Sequence, residues 1–224
     1  IEEDKGDLID SVKFSIENDC GISNMEIKKF EDKNWNDVWE KSIEPVYIKD
    51  KIIIHTSWNK QQIENPGGKI LIEIDPKMSF GTGHNETTQL VLELMCDYLE
   101  RGDNPMLDYG SGTAVLSIAA AKLGVENIIA VDIDADAIEN AKEYIKLNHT
   151  EKFIKLDNCN ISHVEETGFD VIAANIIRSV ITVNLSHIYS KLKADGKLFI
   201  SGVLIEEEAL LVKELEKYNF EIIE

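Results

Sequence analysis

Four short stretches of this sequence put polar side chains where they can do chemistry. In Met106-Leu107-Asp108-Tyr109-Gly110-Ser111-Gly112-Thr113 an apolar run ends on an acid, turns on two glycines and enters a helical pattern. Glycines at Gly110 and Gly112 let the backbone approach a ligand at a helix N-terminus. Asp108, just ahead of them, suits a site that holds a cationic amino-acid moiety, although a purely structural turn reads the same way when taken alone. Asp132 ends the next apolar run, Ile128-Ile129-Ala130-Val131, about 20 residues beyond the glycines, the offset at which a carboxylate reaches both hydroxyls of a ribose. An Asp after a strand also often caps the next helix, a duty that Asp134 or Asp136 could take for the helix beginning near Ala135. A nicotinamide dinucleotide would use Asp132 in the same way. Its glycine fingerprint, however, calls for a third glycine where Val115 stands.

Asn175 closes a third apolar run, Phe169-Asp170-Val171-Ile172-Ala173-Ala174. Its carbonyl oxygen can accept an N–H of an incoming amine and orient the nitrogen lone pair, and an amide takes no proton at neutral pH. Capping a following helix is the alternative role. The fourth stretch, Ser79-Phe80-Gly81-Thr82-Gly83-His84-Asn85-Glu86-Thr87-Thr88, is a glycine-bearing loop that runs into a helix start. Such a loop can fold over a ligand, with Phe80, Thr82 and Thr88 as candidate contacts. His84 is either a base or, as is commoner for a lone His in such a loop, a maker of local hydrogen bonds.

The elements that must position these residues follow from periodicity. After Pro76, strands alternate with helices, the pattern of a parallel sheet with crossover helices. Helices are predicted over 86–100, 114–123, 135–148, 180–192 and 206–218; strands end at Asp108 and cover 127–131, 153–156, 170–174 and 197–201, with one more beginning at 220–223. Ahead of Pro76, Leu8, Val12 and Ile16 share a helical face, and 25–30 alternates as a short strand. Trp35, Val38 and Trp39 form an apolar helical stripe read as packing. The run 46–56 is strand-like, 61–69 is a turn, and 70–74 is a strand. The fold class is therefore α/β and doubly wound, with a small, abbreviated N-terminal α/β segment. Three parts are expected: 1–31, an interdomain helix with strands at 32–75, and a ligand-binding domain at 76–224.

Bulk composition narrows the partners. The 224 residues, 43% hydrophobic and 29% charged, describe an ordinary globular chain without an apolar run of the roughly 20 residues that a membrane span needs. Cys20, Cys96 and Cys159 are far apart, so neither a disulfide framework nor a zinc site is expected and a reducing cytoplasm fits. A net charge of −19 disfavours nucleic acid, and it serves either solubility or attraction of a basic partner. The chain opens on Ile1 and runs out at Glu224 in a strand-like stretch, so a native end beyond one or both of them is expected.

Taken together, Pro76 to His84, Glu86-Thr87-Thr88, Asp108 to Thr113, Asp132-Ile133-Asp134 and Ala174-Asn175-Ile176 resemble the ribosomal protein L11 methyltransferases. The Phe-Gly-Thr-Gly-His loop before the Thr-Thr pair is the most specific part. The resemblance implies a seven-stranded-type methyltransferase sheet, here without its last strand, and S-adenosylmethionine as cofactor. It implies methyl transfer to lysine side chains and the N-terminal amine of a basic ribosomal protein, with no metal. It assigns cofactor contacts to Thr88, Gly110, Asp132 and Asn175, with Asn175 orienting the amine, and substrate recognition to the N-terminal segment. Ala114 stands where the family usually carries glycine. Rival readings are a methyltransferase for a different protein lysine, a non-catalytic cofactor-binding module and a nicotinamide dehydrogenase. Calorimetry separates the last: S-adenosylhomocysteine is expected to bind more tightly than NAD, and the reverse order would restore the dehydrogenase.

Overall fold

The apolar run at 46–56 does not form one strand, because Lys49-Asp50-Lys51 interrupts it with three charged residues. In the computed structural model, which describes residues 16, 43–63, 66–75, 83–100 and 102–223, it folds into a hairpin. β1 (Val46–Ile48) and β2 (Ile52–His55) pair antiparallel, and the turn is closed by Lys51 N–H donating to the Ile48 carbonyl at 3.2 Å. After a 3₁₀ turn at Lys60–Gln62 and a tight turn at Gly67-Gly68, β3 (Ile70–Glu73) returns parallel to β2. Phe80, Thr82 and the tryptophans Trp35 and Trp39 lie outside the described residues, as do the segments expected at 7–20 and 25–30, apart from Ile16, which is helical. The chain divides into two compact units, Ile1–Lys41 and Ser42–Glu224.

From α1 (Glu86–Tyr98) onward the predicted alternation is realised. β4 (Met106–Tyr109), α2 (Val115–Leu123), β5 (Ile128–Val131), α3 (Ala135–Leu147), β6 (Ile154–Asp157), β7 (Phe169–Asn175), α4 (Arg178–Lys191), β8 (Leu192–Ser201) and α5 (Glu208–Glu216) follow in order. The five strands form one sheet in the order β6-β5-β4-β7-β8, every neighbouring pair parallel. Period-two alternation sorts its side chains between two layers. Met106, Ile128, Ala130, Val171 and Ala173 face the core shared with α1, α2 and α3, while Leu107, Ile129, Val131, Ile172 and Ala174 face the core shared with α4 and α5. This is the doubly wound α/β architecture expected. The strand expected at 220–223 is absent: Phe220 instead joins an aromatic cluster with its ring 6.0 Å from that of Tyr189, which also lies 5.3 Å from Tyr218. Burial of the ring against α4 takes the place of strand pairing.

The small sheet joins the first of those layers, since Ile48, Ile52, Ile54, Ile72 and Ile74 pack in one cluster with Val91, Leu92, Met95 and Ala114. Asn148, at the end of α3, completes the joint by imitating a strand backbone. Its Oδ1 accepts from Glu73 N–H at 2.9 Å, and its Nδ2 donates to the Glu73 and Tyr144 carbonyls, each at 2.9 Å. Truncation would strand one backbone donor and one acceptor, both of Glu73, near a buried position, while the Tyr144 carbonyl keeps its bond from Asn148 N–H; each unmade bond costs about 1–3 kcal/mol. Asn148→Ala is therefore expected to lower the stability of the Ser42–Glu224 unit by about 2 kcal/mol in urea unfolding. A loss below about 0.5 kcal/mol would show that Glu73 repairs its bonds elsewhere.

Candidate active site

In an open parallel sheet the ligand crevice lies at the carboxyl ends of the strands where the strand order reverses. Here that point is the seam between β4 and β7, because the chain continues from β4 toward β5 and β6 on one side and from β7 toward β8 on the other. Asp108, Asp132 and Asn175 all stand at carboxyl ends beside this seam. Gly110 shows why glycine is needed there: it has φ 78°, and a Cβ would meet Ile176 Cγ2 at 2.4 Å across the seam.

Asp132 organises the glycine turn. Its Oδ2 accepts from Gly112 N–H at 2.9 Å and its Oδ1 from Asp134 N–H at 3.0 Å. A carboxylate has about four acceptor positions, so two remain for a ligand's hydroxyl pair. Asp134, not Asp132, caps α3, accepting from Asp136 N–H at 2.9 Å. This removes the capping alternative for Asp132.

Asn175 is almost completely buried and is held by one bond, from its Nδ2 to Thr88 Oγ1 at 3.0 Å. That leaves Oδ1 without a partner. The helix after it starts at Arg178 with Ile177 in the capping position, so Asn175 is not the cap that its type suggested. Thr88 is fully buried on α1 and reaches the site through Asn175. His84 sits in the loop before α1, its Nε2 3.2 Å from the Glu44 carbonyl and its Nδ1 buried without a partner.

A cavity of about 820 Å³ opens between these groups, in the size range of small-molecule sites. Its wall includes Gly110, Gly112, Asp132 and Asn175, together with His84, Glu86 and Thr87. Asp108 is not part of this wall. Its carboxylate is fully buried beneath the turn, where Oδ2 accepts from Ser117 N–H at 3.1 Å and Ser117 Oγ at 2.6 Å, satisfying a first-turn donor of α2. Ser111 Oγ and Asp108 Oδ1 are likewise buried without partners. Those two lie off the cavity wall, but His84 Nδ1 and Asn175 Oδ1 belong to it, and buried unpartnered atoms cost free energy unless a ligand satisfies them, so these two point to a polar occupant.

Several wall residues carry no signal in the sequence. Tyr109 reads as a strand residue, yet its hydroxyl faces the side chain of Asn160; burial pushes the phenol above its ordinary value and that amide pulls it back. Ile133, Ile177 and Leu204 look like core residues but are 74%, 63% and 60% exposed, forming an apolar rim. Only Ile133 had a usable cue, its position directly after Asp132. Among the described residues no group of His, Cys, Asp or Glu is placed to hold a metal ion, and no helix is long and apolar enough to cross a membrane.

Known proteins with this arrangement share more than the fold. A family model described as ribosomal protein L11 methyltransferase matches residues 2–224. The chain belongs to the ribosomal protein L11 methyltransferase family. A relative of that name from Listeria innocua is 39% identical over 199 residues, 88% of this chain and 62% of its own length. One from Clostridium perfringens strain SM101 is 31% identical over 229 aligned positions, covering 100% of this chain and 72% of its own. The crystal structure of the ribosomal protein L11 methylase from Lactobacillus delbrueckii subsp. bulgaricus superposes with a TM-score of 0.72 at 26% identity, over 80% of this chain and 91% of that one. The chain thus spans about three-fifths of the Listeria relative.

Ala114, at a position where the resemblance expects glycine, stands in the turn itself. It adopts φ 61° and ψ 25°, the left-handed conformation, immediately before α2. A non-glycine residue there costs about 1–2 kcal/mol, partly offset by the complete burial of its methyl group in the first core layer.

Asp108 makes the turn pH-sensitive. Burial pushes its pKa from 3.8 up to about 6, against the two hydrogen bonds from Ser117, which lower it. The folded state then holds more protons than the unfolded state between these values, so this contribution to stability is complete below about pH 4 and is lost as pH rises through 6. The loss is on the order of 3 kcal/mol. Asp108→Asn keeps the acceptor and removes the titration. Urea unfolding of the variant is expected to lack this decline between pH 4 and 7, and an equally steep decline in variant and unaltered chain would show that Asp108 is not its source.

Proposed function

We propose that the protein transfers methyl groups from S-adenosylmethionine to amines of ribosomal protein L11, at lysine side chains and at the N-terminus. The observation that carries this reading is Asn175, whose buried Oδ1 has no partner while its Nδ2 is tied to Thr88. A fixed acceptor at a cavity wall suits an amine that must present its lone pair and not its hydrogens. Family membership supports the reaction class, and the names of the relatives support the substrate.

The residues present fit this cofactor. When bound, S-adenosylmethionine supplies an electrophilic methyl group on a sulfonium sulfur. Asp132 would hold the ribose hydroxyls with its two remaining acceptor positions, and Gly110 and Gly112 would let backbone come close to the ligand. Tyr109, Ile133 and Asn160 line the same cavity and would border the bound cofactor. Asp108 supports the turn from below and adds negative potential for the cationic amino-acid moiety. Phe80 and Thr82 would be further cofactor contacts in this reading, and Thr88 would act by holding Asn175.

The substrate amine has to lose its proton first, since a lysine ordinarily titrates near 10.4 and only the neutral form has a lone pair. Ile177, Val180 and Leu204 line the cavity and favour that form by desolvation. Asn175 then accepts one N–H and orients the nitrogen, so the protein contributes mainly alignment. The departing proton passes to solvent or to a neighbouring group such as His84. A basic partner also suits the charge of −19, which repels nucleic acid. Recognition falls to the segment 1–31, ahead of an interdomain part at 32–75 and the cofactor domain at 76–224, in a cytoplasmic protein.

The test is incubation with labelled S-adenosylmethionine and isolated ribosomal protein L11. Label is expected in lysines and the N-terminus, and Asn175→Ala is expected to reduce turnover by about 100-fold. Unchanged turnover would remove Asn175 from its role. Label in another basic protein alone would move the substrate, and binding of S-adenosylhomocysteine without transfer to any amine would leave a non-catalytic module.

A further inference from the structure

The rim of the cavity is made by two turns that leave neighbouring strands. β7 runs out through Ile176 and Ile177 into α4, and β8 runs out through Gly202, Val203 and Leu204 toward α5. The turns touch through backbone: Gly202 has φ 81°, and a Cβ there would lie 2.9 Å from the Ile176 carbonyl oxygen. Farther out, Arg178 Nε donates to Glu207 Oε1 at 2.9 Å and joins them a second time. The two side chains are 25% and 29% exposed, so this pair is more shielded than an ordinary surface ion pair. Arg178 stands between the cavity-lining residues Ile177 and Val180, and Glu207 N–H donates to the Leu204 carbonyl at 2.9 Å.

Resting on the reading above, we propose that Arg178 and Glu207 are a positioning pair that sets the two rim turns as the walls of a slot for the hydrocarbon stem of the methyl-accepting side chain. Ile177 and Leu204 are too exposed to serve the core, and they lie on opposite turns of a cavity whose inner wall carries Asn175. A lysine buries its methylenes on apolar surface while its amine projects beyond them. A slot of this kind brings the nitrogen toward Asn175 and leaves the cofactor contacts at Gly110, Gly112 and Asp132 untouched. The pair acts on substrate alignment at the rim, so its loss reads as a rise in KM.

Steady-state kinetics with ribosomal protein L11 and calorimetry with S-adenosylhomocysteine test the slot. Arg178→Ala and Glu207→Ala are each expected to raise KM about 3- to 10-fold. Both kcat and the Kd for S-adenosylhomocysteine should stay within about twofold. The double alanine variant should be no worse than either single one, Arg178→Lys should fall between, and the charge-reversed pair R178E/E207R should recover most of the loss. An unchanged KM, a reversed pair that recovers nothing, or kcat and cofactor affinity falling in step would overturn the slot. An unaltered chain that methylates no amine overturns the functional reading and the slot together, whereas turnover with an insensitive KM overturns the slot alone.

Discussion

The seam between β4 and β7 is the constraint on which the rest of the molecule depends. Two adjacent parallel strands there send their chains in opposite directions, so their carboxyl ends are left uncovered by a crossover helix. The polar atoms that cluster at that edge would be costly anywhere in a closed core. At the seam Asp132 and Asn175 border a cavity instead, and Ile176 packs across it where a side chain on Gly110 would stand.

Around the seam, structural and ligand-directed roles are divided among residues of similar type. Asp108 and Asp132 both stand near carboxyl ends of neighbouring strands, Asp108 in register with Ala130 and Asp132 two positions beyond it, but one is sealed under the turn against Ser117 and the other lines the cavity. Asp134 takes the capping duty that would otherwise occupy Asp132. Thr88 is spent on holding one end of the Asn175 amide, which leaves the opposite end free. Each arrangement consumes one hydrogen-bonding capacity to orient another.

The layer behind the seam explains why the turn tolerates Ala114 in a left-handed conformation. Ala114, the almost wholly buried α2 helix and the isoleucines of the small sheet form one cluster, so the turn is pinned by packing on the side away from the cavity. Strain at such a point persists when its surroundings over-determine it.

By itself, the sequence determined the alternation of strands and helices, the two-layered sheet and the three strand-end residues, because period-two and helical patterns are local and survive without knowledge of neighbours. Asp132 and Asn175 were legible for that reason, as was the family. What only the tertiary structure decided depends on contacts between distant segments. The missing strand at 220–223 turned on which surfaces were available to pair or pack. Asp108 could not be placed beneath the wall rather than in it until Ser117 was seen to occupy it. The apolar rim of Ile133, Ile177 and Leu204 was hidden because exposure is a property of the fold, and an isoleucine reads as core until nothing covers it.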